Sequence, residues 1–224
     1  MKKLFLNIRK LLFKTDCILC NKDAEEKLRY LCSNCYNNLK LSSSLKKMGN
    51  IYYIWDYNKL NSKLIFEYKY NNIKEISNIY SSIMKDKIFE VLEKEEIDYI
   101  FPIPITKKRR SKRGYNQTEV ILDKMNLRYE NSERIKETKA MYKLLDKGKR
   151  EKNISNAFYI NNINKYNDKN ILIFDDIITT GATTKEFERT LKDKWKVKKI
   201  VIFSCMGSKT IKKLNINKEV NDEF

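Results

Sequence analysis

Four thiols, at Cys17, Cys20, Cys32 and Cys35, are the first chemistry the chain offers. Each Cys-x2-Cys pair sets two sulfurs on one tight turn, and two such turns supply the four thiolates that a tetrahedral zinc ion takes. A closed four-thiolate site keeps no open coordination position, so the expected role is a structural staple. A redox role would place a Cys-x2-Cys pair in a βαβ context, which this segment lacks. Docking of a partner or of nucleic acid stays open. Cys205 stands alone and fills the end of an apolar strand. The chain has no histidine, which excludes Ser-His-Asp and Cys-His nucleophiles and every imidazole-ligated metal site.

A second group lies at 171–184. The apolar run Ile171-Leu172-Ile173-Phe174 reads as a buried strand delivering Asp175 and Asp176 to the carboxyl edge of a sheet, where ligand sites lie. Thr179, Thr180, Gly181, Ala182, Thr183 and Thr184 follow and open a helix. Backbone N–H groups and hydroxyls at such a bend cradle a phosphate, while paired carboxylates accept hydrogen bonds from neighbouring sugar hydroxyls. The element suits a ribose 5-phosphate. An ordinary strand-to-helix turn with a Thr cap is the other reading.

The third group is basic: Lys107, Lys108, Arg109, Arg110, Lys112 and Arg113, with no acid among them. Pro102 and Pro104 close the apolar run before it, so a loop over Thr106–Gly114 is expected. Mobile cations there could clamp a pyrophosphate leaving group, or follow nucleic-acid phosphates while Phe101 and Tyr115 stack a base. A merely solvated charged loop is the third reading.

The elements that must position these groups are legible in outline. The 224 residues carry a net charge of +18, with 42% hydrophobic residues, enough for a buried core and against wholesale disorder. The basic excess is mostly Lys, in a chain also rich in Asn and Ile, so only local clusters of charge speak for a ligand. Met1–Phe13 has one apolar helix face. It lacks the continuous apolar core of a signal peptide, and no stretch reaches the roughly 20 apolar residues of a membrane span. With reduced thiols, this places the protein in the cytoplasm. Residues 42–50 read as a linker and Ile51–Trp55 as a strand. Two helices fit Leu60–Glu93 with a break at Asn71-Asn72, and Ile97–Ile103 is a strand. A helix starts at Asn116 or Thr118. Residues 131–169 are polar apart from an apolar island at Ala157–Ile160. The strand at 171, a helix to Lys194 and a strand from Val197 to Phe203 make a βαβ unit and a parallel sheet.

The run at 171–184 resembles the signature that binds 5-phosphoribosyl 1-diphosphate (PRPP) in type I phosphoribosyltransferases. Together with the four cysteines, the chain resembles the ComF family of ComFC-type competence proteins. Further matches are Glu67-Tyr68-Lys69-Tyr70, Pro102-Ile103-Pro104, Arg113-Gly114-Tyr115-Asn116-Gln117, and Lys149-Arg150 with Asn153 and Ala157-Phe158. The resemblance implies an α/β type I phosphoribosyltransferase fold, a parallel sheet flanked by helices. It would span residues 48–208, preceded by a helix and zinc ribbon over 1–47 and followed by a polar tail over 209–224. Asp175 and Asp176 would contact the ribose hydroxyls, and Thr179, Thr180, Gly181, Ala182 and Thr183 the 5-phosphate. Magnesium would be carried by the pyrophosphate and sugar oxygens. Lys107–Arg113 would cover the pyrophosphate, and Lys69 would reach it.

The resemblance also implies single-stranded DNA as a ligand, with a DNA-uptake helicase and a recombination loader as partners. Two departures stand out. Met141 occupies a place where family members carry Gln. Thr179 occupies the slot of an acid in the purine-salvage branch and cannot shuttle a proton to a base nitrogen, which disfavours hypoxanthine-type salvage. No residue presents itself as a catalytic base or as a nucleobase recogniser. Two functions follow: a competence protein binding PRPP and single-stranded DNA, or a phosphoribosyltransferase acting on an unidentified acceptor.

Overall fold

The computed structural model describes residues 16–136, 156–161 and 164–208. The helix expected over Met1–Phe13, the positions Met141, Lys149, Arg150 and Asn153, and the tail from Lys209 lie outside the described residues.

Strands β1 (Lys46–Met48), β2 (Ile51–Asp56), β3 (Tyr99–Pro102), β6 (Asn170–Ile178) and β7 (Lys199–Gly207) form one sheet in the order β1-β2-β7-β6-β3. The pairs β2·β7, β7·β6 and β6·β3 are parallel, as the βαβ reading requires. The sheet is nonetheless mixed, because β1 pairs antiparallel with β2. Residues 46–48, within the stretch read as a linker, are therefore a strand; the turn at Gly49-Asn50 folds Met48 back onto Ile51. Pro102 sits on edge strand β3, where a missing N–H costs no ladder bond.

The two central strands are buried on both faces, which is why they read as unbroken apolar runs. Period-two alternation splits their side chains between two cores. Leu172, Phe174, Val201, Phe203 and Cys205 face one side. There they meet helices α2 (Lys59–Tyr70), α3 (Ile76–Lys94) and α5 (Gln117–Lys124), through Leu64, Tyr68, Tyr80, Met84 and Ile121. Ile171, Ile173, Ile200 and Ile202 face the other, against Phe187 and Leu191 of helix α6 (Ala182–Lys192) and Trp195. A two-stranded ribbon, β4 (Glu133–Arg134) with β5 (Phe158–Tyr159), uses the apolar island and buries Phe158 against Phe187.

Two local expectations are corrected. The basic segment is a helix, α4 (Lys107–Arg113), not a loop. Thr106 caps it by accepting the Arg109 N–H, and Gly114, at φ 80°, closes it in the left-handed conformation by donating to the Arg110 carbonyl. Basic residues in its last turn complement the helix dipole. The strand beginning at Asn170 also does not stop at Phe174. It pairs with β7 as far as Ile178, so both acids lie within the ladder.

The cysteine module opens on helix α1 (Ser33–Leu41), with Cys32 as its N-cap. It is fastened to the sheet and to α3 by Leu31 and Leu39 in the first core, by the Trp55 Nε1–H bond to the Leu39 carbonyl (3.0 Å), and by Tyr36 with Ser82 (3.2 Å). Among the described residues no helix is long and apolar enough to cross a membrane.

Candidate functional site

Three segments distant in sequence converge on Asp176. It sits in β6, 2% exposed, and its Oδ1 meets the ammonium of Lys69 from α2 at 2.7 Å. Its Oδ2 accepts from Nε2 of Gln117, the first residue of α5, at 2.6 Å. Arg113 at the end of α4 donates in turn to Gln117 Oε1. The aromatic members of the same motifs supply the scaffold. Tyr68 and Tyr115 stack with ring centroids 5.4 Å apart, the Tyr68 hydroxyl donates to the Gln117 carbonyl (2.9 Å), and the Tyr115 hydroxyl donates to the Tyr68 carbonyl (2.5 Å). Asn116 caps α5 and donates to the Ile103 carbonyl, which ties the helix to the end of β3. The residues of Glu67–Tyr70 and Arg113–Gln117 thus form one clamp on the acid.

Asp175 is buried on the same strand, and its Oδ1 accepts the backbone N–H of Asp176 at 2.8 Å. Burial, reinforced by the adjacent Asp176 carboxylate, pushes its carboxyl up to about 7. Beyond the acids, Asp175 and residues 177–184 line a small nest of 20 Å³. Gly181 turns the chain at φ 70°, and no side chain caps α6. The first N–H groups of that helix therefore point into the nest without side-chain competition, the arrangement that holds an anion. Thr184 stiffens the bend by donating to the Gly181 carbonyl (3.0 Å), and Ser208 donates to the Thr179 carbonyl (2.7 Å).

A cleft of 590 Å³ opens over the acids and shares Asp175, Ile177, Thr179 and Thr183 with the nest. Lys69, Arg109, Lys112 and Arg113 line it. The other cations of α4 do not: Arg110 makes a bidentate pair with Glu119 (2.6 Å to Oε2), Lys107 lies 3.9 Å from Glu133, and Lys108 is exposed away from the lining. The expected base-stackers are also corrected. Phe101 is fully buried at a strand end under Phe187 and Tyr166, and Tyr115 is buried under Tyr68. Gln117, Arg134, Phe66 and Tyr70 line the cleft although no site role was read for them. For Gln117 no local signal existed, since its contact with Asp176 spans 59 residues. For Phe66 and Tyr70 the signal was present: they fall off the helical periodicity of the buried positions Leu64, Ile65 and Tyr68.

In the amino-terminal module the sulfurs of Cys17, Cys20, Cys32 and Cys35 all lie within 4.8 Å of one another, with Cys20 and Cys32 at 3.7 Å. Zinc–sulfur bonds of about 2.3 Å in a tetrahedron set sulfurs about 3.8 Å apart, so the donor set fits zinc. The Cys35 N–H points at the Cys32 sulfur (3.5 Å), a bond that steadies a thiolate. The cluster is a metal-binding one of the structural kind.

No family model matches the chain. Several curated relatives do. Competence protein ComFC of Bacillus subtilis is 24% identical over 202 residues, 86% of this chain and 78% of that protein. Competence protein F of Haemophilus influenzae is 28% identical over 176 residues, 74% and 75% respectively. DNA utilization protein YhgH of Escherichia coli K12 is 25% identical over 194 residues, 78% and 83%. Likeness spread over most of the length in separate genera, joined to the four-cysteine metal cluster, relates this chain to the ComF/ComFC/YhgH-like family.

Proposed function

We propose that this protein takes part in DNA uptake as a ComF-type protein that binds PRPP and single-stranded DNA in the cytoplasm. One observation carries the reading: a buried pair of acids and an uncapped Thr-Gly bend stand side by side on one sheet edge, under a cleft lined by five cations. In this reading the described α/β domain is a type I phosphoribosyltransferase fold. Asp175 and Asp176 hold the ribose hydroxyls, and 179–183 hold the 5-phosphate. Lys69 and the cations of α4 that line the cleft attract the pyrophosphate, whose oxygens carry magnesium. Lys69 and Gln117 hold the Asp176 carboxylate in position for the sugar. The cysteine cluster holds zinc as a staple. The names of the relatives, competence and DNA utilization, support a place in DNA handling, and a DNA-uptake helicase and a recombination loader are the partners of this reading.

Calorimetry with PRPP and magnesium tests the first ligand. Wild-type protein should release heat with one site per chain, and the double variant Asp175→Asn with Asp176→Asn should release none. Absence of heat with the zinc-loaded wild type would overturn the PRPP reading.

Turnover as a phosphoribosyltransferase on an unidentified acceptor is a second reading, favoured by Asp175. A carboxyl near neutrality beside an open cleft can exchange a proton with an incoming nucleophile. Pyrophosphate release from PRPP against a panel of acceptors decides it. Release that depends on an acceptor supports turnover, and binding without release leaves the binding role alone.

A further inference from the structure

Three exposed aromatic side chains, Tyr57, Phe66 and Tyr70, line the same cleft as Asp175 and Asp176. Phe66 and Tyr70 stand one turn apart on α2 with ring centroids 4.8 Å apart, each about half exposed. The guanidinium of Arg113 lies 5.9 Å over the Tyr70 ring and continues the row. Lys69, on that turn, points the other way, down to Asp176. Opposite the row, α4 presents Arg109 and Lys112 to the cleft, while Lys107 and Arg110 lie against Glu133 and Glu119. Exposed π-faces in a row, with cations along one side, match a strand whose bases stack while its phosphates follow the positive wall. The acids on the floor do not forbid a polyanion, because Lys69 pairs with Asp176.

We infer that single-stranded DNA binds in this cleft, with bases on Phe66 and Tyr70 and phosphates on Arg109, Lys112 and Arg113, so that DNA and PRPP exclude one another. The inference rests on the PRPP and DNA reading above and adds where the strand lies and that the two ligands share one site. The floor of the cleft belongs to the sugar phosphate, the wall of α4 faces both ligands, and Thr179 and Thr183 connect cleft and nest. One occupant at a time would make PRPP a signal that releases DNA.

Fluorescence anisotropy with a labelled oligo-dT of about 12 nucleotides tests this, on zinc-loaded full-length protein at fixed salt. With wild type, the apparent dissociation constant for the oligomer should rise in proportion to added PRPP–magnesium, about tenfold at ten times the PRPP constant, without a plateau. Phe66→Ala with Tyr70→Ala removes the two rings of the platform and should weaken the oligomer about 10- to 100-fold. An unchanged melting temperature and zinc content certify the fold of that variant. DNA affinity that ignores PRPP, or that levels off after a few-fold loss, overturns the shared site. DNA affinity that survives the double variant overturns the platform. An oligomer that never binds, while PRPP still gives heat, overturns the DNA half of the functional reading along with this inference.

Discussion

The cysteine module and the acid-floored cleft solve the problem of placing chemistry in opposite ways. The module draws its four ligands from one stretch of 19 residues, Cys17 to Cys35, and two Cys-x2-Cys turns bring the sulfurs together with little help from elsewhere. The cleft draws on three segments, and the contact that orients Asp176 joins residues 107 positions apart. A local site depends on its own turns and on the metal that closes them. An assembled site depends on the packing of whole helices, here through the stacked Tyr68 and Tyr115 and the cap at Asn116. On the zinc reading, a metal ion would close the module at its sulfurs, whereas hydrophobic burial alone assembles the cleft.

Metal removal should break that contrast most forcefully. A structural zinc contributes about 10–16 kcal/mol to small modules of this kind. Chelation, or Cys17→Ser, should therefore unfold residues 16–41, detach Leu39 from Trp55 and shift tryptophan fluorescence to the red. No cysteine lines the cleft, so PRPP affinity at low temperature should move by less than about threefold. A large loss of PRPP affinity would show that the module braces α2, and the two regions would not be separate. Zinc analysis of pure protein should find about one ion per chain.

The next effect belongs to the clamp. Asp176→Asn loses the charge that Lys69 neutralises and the acceptor that Gln117 holds in place. PRPP affinity should fall about 10- to 100-fold, the cost of a charge-assisted hydrogen bond. Gln117→Ala removes one of the two side chains that hold the acid and should cost less, about tenfold. Equal losses from both changes would mean that Gln117 meets the ligand itself. Calorimetry reads both.

How much of this was legible in the sequence follows the same division. The cysteine pairs and the run at 171–184 are contiguous, so spacing alone exposes them, and the burial of β6 and β7 on both faces is visible as apolar runs. The role of Gln117 was not legible, because nothing within a few residues of it announces an acid 59 positions away. The basic segment reads as a loop from the prolines before it, although its composition favours the helix that forms. Between Thr106 and Gly114 stand six good helix formers and a serine, bracketed by a cap at each end. Phe101 and Tyr115 flank the charged run in sequence, but proximity to charge does not make them exposed, and both are core residues.

A smaller and pH-dependent effect concerns Asp175. Its carboxyl sits near 3.8 in an unfolded chain and is pushed up to about 7 in the fold, chiefly by burial. Between those values the folded form keeps a proton that the unfolded form gives up. The stability this gives is present below about pH 4, declines as pH rises through about 7 and is level above that. Melting temperature followed from pH 4 to 9 should show this decline, and Asp175→Asn should flatten it and melt higher than wild type at pH 8. A variant that melts lower at pH 8 would mean that the Asp176 N–H bond to the charged carboxylate outweighs its burial.

The smallest expected effect distinguishes the two sides of a single helix. If counterion release drives DNA binding, each cation in contact with a phosphate contributes about 0.7 to the slope of log affinity against log salt on a single strand. Arg109, Lys112 and Arg113 line the cleft, and replacing each by Gln should lower the slope by about that amount. Lys107 and Lys108 belong to the same basic run but do not line the cleft, so Gln there should leave the slope unchanged within error. Equal slopes for the two sets would mean that the strand senses the net charge of +18 and not the surface that α4 turns toward the acids. In that case the basic run would act as composition alone, and the helix that orders it would have no part in recognition.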